Sequence, residues 1–161
     1  MHLGKLAALA MVVSAFLTTL ARPISVAELD YNPLESSDYE FVELINSGAA
    51  PFVLTGCKFT AGIDFTFGAR TLAPGERVVI VRDLPSFTSR YPGVATAGVY
   101  KKKLSDTGDT LVFVSAAGVE LFKFKYDTSG DWPSRANGLG SSLEVVDPNG
   151  NLDDPLNWRS S

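Results

Sequence analysis

The sequence of 161 residues contains one cysteine, Cys57, and one histidine, His2. A single cysteine excludes an intramolecular disulfide and a thiolate metal cluster, so Cys57 is expected to be a small buried hydrophobe. A single histidine near the N-terminus provides no Ser/His/Asp triad, Cys/His pair or usual zinc site once the first residues are removed. The nucleotide-binding patterns GxxxxGK(S/T) and GxGxxG are also absent. Chemistry is therefore left to carboxylates, hydroxyls, lysine and arginine, and no cofactor is expected.

The first 21 residues have the layout of a secretory signal peptide. Lys5 stands before an apolar stretch, and the small residues Thr19 and Ala21 precede a cleavage position. The uncharged stretch is shorter than the roughly 20 residues that span a bilayer. We therefore predict a signal peptide over residues 1–21 and one domain over residues 22–161, with an uncleaved signal anchor as the alternative. The expected location is secreted, periplasmic or at the cell surface, without a membrane span after cleavage.

Short β-prone segments separated by turn residues run through the rest of the chain. Asn32-Pro33, Pro74-Gly75 and Ala117-Gly118 are turn pairs, and no apolar period of 3.6 residues follows the signal. Residues 86–93, SFTSRYPG, are predicted to be a loop with room for one helical turn. This pattern predicts an all-β fold, a sandwich of two antiparallel sheets. The predicted strands and hairpins span residues 24–30, 40–46, 57–67, 77–82, 109–126 and 142–146.

Several blocks of sequence, in the same order, resemble the lamin tail domain family over about residues 24–160. AELDYNP is similar to the family's opening strand and turn, DYEFVELIN to its second strand, and LAPGERVVIV to the turn before a buried strand. LSDTGDTLVFVSAAGVELFKFKY resembles its Gly-Asp hairpin, and DWPSRANGLGSSLEVV followed by DDPLNW resembles the close of bacterial members. The residues that carry these motifs, all expected to be structural, are Glu28, Asn32, Pro33, Glu40, Glu43, Asn46, Pro74, Gly75, Asp109, Trp132, Ser142, Leu143, Glu144, Asn157 and Trp158.

The resemblance implies an immunoglobulin-like antiparallel β-sandwich that serves as an interaction or architectural module without catalysis. In nuclear lamins this domain contacts proteins and DNA, and bacterial members are often exported. The sequence has neither a coiled-coil rod nor a catalytic domain, so we expect a free-standing secreted module that binds an unknown protein or cell-surface partner. A carbohydrate- or nucleic-acid-binding module and a calcium-stabilised adhesin domain are the alternatives.

Glu43 lies in the middle of the predicted strand EFVELIN. Strand alternation puts Phe41, Glu43 and Ile45 on one side, which the two apolar neighbours mark as the core side. A buried carboxylate needs a hydrogen-bond donor or a basic partner. A structural role is favoured over ligand binding and catalysis, and a carboxylate hydrolase would require a second acid facing the same cleft. The expected partners of Glu43 are Arg135, a hydroxyl of Ser141 or Ser142, and the indole N–H of Trp132.

The segment DPNGNLDD places Asp147, Asn149, Asn151 and Asp153 at alternate positions. Oxygen ligands at such spacing open calcium loops, but glycine and glutamate do not fall where an EF-hand needs them. Aspartate and asparagine are also common in ordinary turns, where they bond to the nearby backbone. The segment is a weak calcium candidate, and a plain turn is the favoured interpretation.

Lys101, Lys102 and Lys103 form a run of basic charge that offers contacts to phosphate or an acidic polymer. The chain as a whole is acidic, with 14 basic and 18 acidic residues, a formal net charge of −4 and a pI of about 4.9. Because nucleic-acid binding usually spreads basic charge over a whole face, lysines that protect a sheet edge are the favoured interpretation.

Trp132 and Trp158 stand on either side of the last predicted strand. As exposed rings they would form a stacking platform for a sugar. As buried rings they would close the edge of the sandwich and find local partners for their indole N–H groups. Since both tryptophans fall inside the blocks that resemble the family, a packing role is favoured.

Overall fold

The structure is a computed structural model that describes residues 22–161, so the predicted signal peptide lies outside the described residues. Within residues 22–161 the chain forms twelve strands, one α-helix and three short 3-10 helices. No helix in this part of the chain is long and apolar enough to cross a membrane. The strands are β1 Ser25–Asp30, β2 Phe41–Ile45, β3 Phe52–Val53, β4 Lys58–Ala61, β5 Phe65–Thr66, β6 Thr71–Leu72, β7 Arg77–Val81, β8 Thr96–Val99, β9 Asp109–Val114, β10 Glu120–Tyr126, β11 Leu143–Val145 and β12 Trp158–Ser160; the helix is α1 Leu84–Arg90, and the 3-10 helices are Ser37–Tyr39, Ser134–Ala136 and Pro155–Asn157.

The strands are arranged in two main sheets and a short ribbon. The first sheet has the order β12-β11-β1-β2-β7-β8, the second has the order β10-β9-β4-β5, and β3 pairs with β6. Apart from the parallel pair β7–β8, the strand pairs within residues 22–161 are antiparallel. The predicted all-β, immunoglobulin-like sandwich is confirmed.

The main core lies between the two sheets and is rich in aromatic rings. The hairpin β9–β10 contributes Phe113, Phe122 and Phe124, and the rings of Phe113 and Phe122 stack 5.2 Å apart. Lys123 and Lys125 alternate with these rings and are exposed. Burial of each aromatic side chain contributes about 2–3 kcal/mol, so this hairpin is a main source of stability.

Strand β1 changes faces at a β-bulge between Val26 and Glu28. Val26, Leu29 and Tyr31 all point into the main core. Strict alternation would place Glu28 on the same face as Val26, but the extra residue of the bulge reverses the pattern. Glu28 and Asp30 therefore lie on the outer face of the six-stranded sheet.

The side of β2 that carries Phe41, Glu43 and Ile45 is also the outer face, so the prediction that it faces the main core is wrong. Val42 and Leu44 point into the main core instead. The cause of the error is that Phe41 is buried by a different element, helix α1, which covers part of the outer face. Under this helix lies a second, smaller core made of Phe41, Val79, Val81 and Phe87.

Helix α1 fills most of the segment for which the sequence predicted a loop with room for one helical turn. Asp83 caps the helix by accepting a hydrogen bond from the Ser86 N–H at 2.9 Å, and Pro85 stands in the first turn, where no N–H is needed. The connection that contains α1 crosses the outer face, which allows β7 and β8 to run parallel as neighbours.

Candidate functional site

A cleft opens on the outer face of the six-stranded sheet, beside helix α1. Its volume is about 280 Å³, and it is lined by the carboxylates of Glu28, Asp30 and Glu43 together with Tyr91 and the half-exposed Val94. We call this feature the acidic cleft. The sheet supplies the carboxylates of the cleft. Helix α1 and the residues after it, up to Val94, form the α1 segment, and Tyr91 and Val94 of this segment form the apolar wall of the cleft.

Strand register brings the glutamates of the cleft into a row. Glu28 lies directly opposite Glu43 on β2 and Glu144 on β11. Like charges in directly opposed positions are destabilising. Arginines relieve the two ends, because Arg77 Nη1 lies 2.5 Å from Glu43 Oε2 and Arg159 donates two hydrogen bonds of 2.9 Å to Glu144. Glu28, in the middle, has no basic partner in this row.

Glu28 accepts a short hydrogen bond from the Ser142 hydroxyl. Burial raises the pKa of Glu28, and the Ser142 bond opposes this rise. The prediction of an Arg135, serine or Trp132 partner for Glu43 is therefore wrong. Ser142 is bonded to the neighbouring glutamate, while Glu43 is paired with Arg77 across the β2–β7 pair.

Asp30 is the least compensated group of the cleft. It is 5% exposed, and its Oδ1 atom is buried without a hydrogen-bond donor among the described residues. Burial raises the pKa of Asp30 to about 7, Arg90 opposes the rise, and the nearby carboxylates of Glu28 and Glu40 add to it. A buried carboxyl oxygen without a donor is unfavourable, and few native groups are left in this state.

Arg90 lies near Asp30 but is engaged elsewhere. Its Nη2 atom donates to Glu35 Oε2 at 3.0 Å and to the Leu34 carbonyl at 3.2 Å. Its guanidinium also stacks over the Tyr39 ring, 3.6 Å from the ring centre. Arg90 therefore fixes one rim of the cleft, and Glu28 and Asp30 remain without a basic partner among residues 22–161.

Glu40, at the start of β2, is a scaffold residue. It is fully buried, and its Oε2 atom accepts hydrogen bonds from the Leu104 N–H at 2.9 Å and the Tyr100 hydroxyl at 3.2 Å. Burial raises the pKa of Glu40 to about 7, and the two hydrogen bonds and Arg82 oppose this rise. Glu40 thus ties the 100–104 loop to the sheet. Its Oε1 atom, like Asp30 Oδ1, is buried without a donor among the described residues, but Glu40 does not line the acidic cleft.

Other motif residues hold turns and sheet edges. Asn46 is buried and donates to the carbonyls of Ala50 and Leu72 at 2.9 Å each, and its backbone carbonyl accepts from Gly75 in the Pro74-Gly75 turn. Asn157 donates to the carbonyls of Asp147 and Asn151. Asn32 donates from its side chain to Asn137 Oδ1, and Asp109 Oδ1 accepts from the Thr110 N–H. Pro33 and Leu143 are buried.

The tryptophans pack against each other and against the core. Trp158 is 4% exposed, donates from Nε1 to the Leu152 carbonyl at 2.9 Å, and lies 5.4 Å from the Phe124 ring. Trp132 is partly buried, with its ring centre 5.9 Å from that of Trp158. A sugar platform built on both rings would need an exposed Trp158, which this geometry does not provide.

The candidate calcium segment forms backbone turns. Asp147 Oδ1 accepts from the Asn149 N–H, and Asn151 Oδ1 accepts from the Asp153 N–H. Asn149 Oδ1 accepts from the Arg22 N–H, and Asp153 Oδ1 accepts from the Lys125 N–H at 2.7 Å. Within residues 22–161, no cluster of three acidic, histidine or cysteine side chains is arranged to hold a metal ion.

Because each of these four side chains already binds a backbone N–H, we expect millimolar calcium to leave the melting temperature unchanged relative to excess EDTA. Differential scanning calorimetry in the two buffers is the measurement. An upward shift that is abolished by Asp147→Asn, and retained in the exposed control Asp131→Asn, would show that calcium displaces the turn hydrogen bonds.

The lysine row follows β8 at an edge of the six-stranded sheet. Lys103 Nζ forms a salt bridge with Asp106 Oδ2 at 3.0 Å. The backbone of Lys101 forms an isolated antiparallel β-bridge with the backbone of Asp64. A shallow groove beside the row is also lined by the acidic Asp38 and Asp83. The positive charge is thus interrupted, as expected for lysines that protect a sheet edge.

Comparison with known proteins agrees with the geometry. Residues 18–128 match the Lamin Tail Domain family, a family of non-enzymatic, immunoglobulin-like modules. The chain belongs to the lamin tail domain family, as its motif blocks predicted. The match ends before the segment that contains Trp132 and Trp158. No curated protein matches the chain.

Sequence reasoning selected Glu28 and Glu43 but did not select Asp30 or the apolar wall of the cleft. One signal for Asp30 was available: it stands two residues after Glu28 in a predicted strand, so both share a face. The contribution of Tyr91 and Val94 had no such signal, because the sequence predicted only a loop with room for one helical turn where helix α1 lies. The acidic cleft as a whole could therefore be identified only from the structure.

Proposed function

We propose that the protein is an exported, non-catalytic binding module whose contact surface is the acidic cleft and its apolar rim. Asp30 carries this proposal, because its carboxyl group lines an open cleft while one oxygen is buried without a donor from residues 22–161. A partner that brings a donor or a positive charge to the accessible part of this carboxyl group would offset the cost of burying it, so binding would stabilise the group. Membership in a non-enzymatic family supports binding rather than catalysis.

The rim of the cleft supports contact with a macromolecule. Leu34 and Val94 line the cleft and are about half exposed. Exposed apolar side chains next to polar groups mark protein interaction sites. Export is supported by the signal-like N-terminal 21 residues, which end just before Arg22.

The proposal is tested by placing the photoreactive residue p-benzoylphenylalanine at Val94 of the full-length protein, in cells that naturally produce it. Irradiation is expected to yield a covalent adduct with one partner, and the adducted chain should begin at Arg22 if the signal is removed. The matched control is Val119, an exposed valine in the turn that joins β9 to β10 on the other sheet.

The adduct at Val94 should exceed that at Val119 by about tenfold or more, because a specific partner buries one face and leaves the other free. Equal adducts at both positions, or none at Val94, would contradict the assignment of the contact surface. A chain that retains residues 1–21 would contradict cleavage.

A further inference from the structure

We propose that the acidic cleft receives the side chain of a lysine presented by a protein partner, with apolar residues beside that lysine. This inference rests on the proposed binding function and specifies its chemistry. The ammonium group would lie against Asp30 and Glu28, and the neighbouring apolar residues would cover Leu34 and Val94.

Charge complementarity is the first argument. Of the three carboxylates that line the cleft, Glu43 is paired with Arg77, while Glu28 accepts, within residues 22–161, only from the Ser142 hydroxyl. Asp30 is buried with Oδ1 lacking a donor among the described residues. Above about pH 7, where Asp30 is ionised, an incoming cation would find uncompensated negative charge in a partly desolvated place. Hydrogen bonds to a charged group there are about twice as strong as neutral ones.

The size of the cleft is the second argument. The acidic cleft has a volume of about 280 Å³, at the lower end of the range for ligand sites, about 300–1,000 Å³. This space suits one extended side chain. Phe41, Val79 and Tyr91 also line the cleft and offer apolar contact for a methylene stem. A lysine has such a stem and ends in a compact group with three donors, which suits carboxylates on neighbouring strands.

The apolar rim is the third argument, and it favours a lysine within a protein over a free amine. A small amine held by Asp30 would leave Leu34 and Val94 as exposed as they are now. Residues next to a peptide lysine would lie over this rim and remove apolar surface from water.

The test uses the peptide acetyl-Gly-Leu-Lys-Leu-Gly-amide, with a matched peptide in which norleucine replaces lysine. Each peptide is titrated into the ¹⁵N-labelled protein purified in its exported form. The changes in amide chemical shift give the affinity and the location of binding. We expect the lysine peptide to bind about tenfold or more tightly than the norleucine peptide, with shifts concentrated in β1, β2 and the α1 segment. An arginine peptide and n-butylamine complete the series.

Two variants locate the effect. Asp30→Asn should weaken lysine-peptide binding about tenfold or more and leave norleucine-peptide binding unchanged, whereas the exposed control Asp131→Asn should change neither. Val94→Ala should weaken both peptides equally, because it removes rim contact and no charge. Unchanged backbone shifts outside the cleft verify that each variant is folded.

Other outcomes overturn the inference. Equal affinity for the lysine and norleucine peptides would exclude recognition of a cation, and preference for the arginine peptide would exclude lysine as the occupant. Binding of n-butylamine as tight as that of the lysine peptide would exclude a protein-borne side chain. A Val94 adduct in cells without lysine preference would retain the proposed function and reject this inference. Lysine preference without any adduct would reject the proposed function, and with it the protein-borne lysine, and would retain only the chemical preference of the cleft for an ammonium group.

Discussion

Replacing Asp30 with asparagine is expected to stabilise the protein by about 2–4 kcal/mol at about pH 8 and to have little effect at about pH 4. The reason is that burial of the Asp30 carboxyl group costs far more when the group is ionised than when it is neutral. Its pKa is raised by burial to about 7 in the folded protein, from an ordinary value near 4. Asparagine is close to aspartic acid in shape and carries no charge at any pH.

The direction of the pH dependence follows from the raised pKa. Below the unfolded pKa, Asp30 is protonated in both the folded and unfolded states and has no differential effect. As the pH rises towards 7, the unfolded chain ionises first and the folded state loses relative stability. Urea titrations at several pH values should therefore show a steeper loss of unfolding free energy in the native protein than in Asp30→Asn. Glu28 and Glu40, whose pKa values burial also raises, retain part of the slope in the variant.

The pKa of Asp30 depends on the charged groups around it, so the control variant removes a carboxylate that lies elsewhere. Arg90 on α1 favours the ionised form, while Glu28 and Glu40 oppose it. Asp131→Asn removes an exposed carboxylate elsewhere and should leave the pH dependence unchanged. If Asp30→Asn instead lowers the unfolding free energy at about pH 8, Asp30 has a donor in solution and its carboxyl group is part of the scaffold. A stabilised variant with weaker partner binding would show that stability has been given up for recognition.

Much of the fold was predictable because its main strands have clear local signals. The hairpin 109–126 alternates apolar and charged residues around an Ala-Gly turn, and the strand Arg77–Val81 follows a Pro-Gly turn. The strands that were not predicted include the ribbon pair Phe52–Val53 and Thr71–Leu72, each two residues long. Two residues are too short for an alternating pattern, so only tertiary contacts define them.

The outer face of the six-stranded sheet was harder to predict, for two separate physical reasons. A β-bulge reverses the alternation of β1 after Val26, and no sequence rule places a bulge at that residue. Phe41 is buried by a helix that follows β7, so its apolar character marks a second core rather than the main one. An alternating pattern identifies a strand, but it does not identify which face another element will cover. The acidic cleft lies where these two effects meet.

Replacing Trp158 with alanine is expected to destabilise the protein by about 3–5 kcal/mol. The indole is almost fully buried, packs against Phe124 and Trp132, and donates to the Leu152 carbonyl. Trp158→Phe retains most of the ring packing and leaves the carbonyl without its donor, so a smaller loss of about 1–2 kcal/mol is expected. Leu156→Ala, at an exposed position two residues earlier, should change the unfolding free energy by less than about 0.5 kcal/mol.

The same variants test whether the segment beyond the family match belongs to the folded unit. Strands β11 and β12 complete the six-stranded sheet next to β1, and β11 is preceded by Ser142, the hydroxyl donor to Glu28. Loss of Trp158 should therefore loosen the β11 side of the acidic cleft as well as the core. In amide hydrogen exchange, Trp158→Ala should reduce protection in both β11 and β1. If protection falls only in β12, the end of the chain packs independently, and the acidic cleft retains its shape without it.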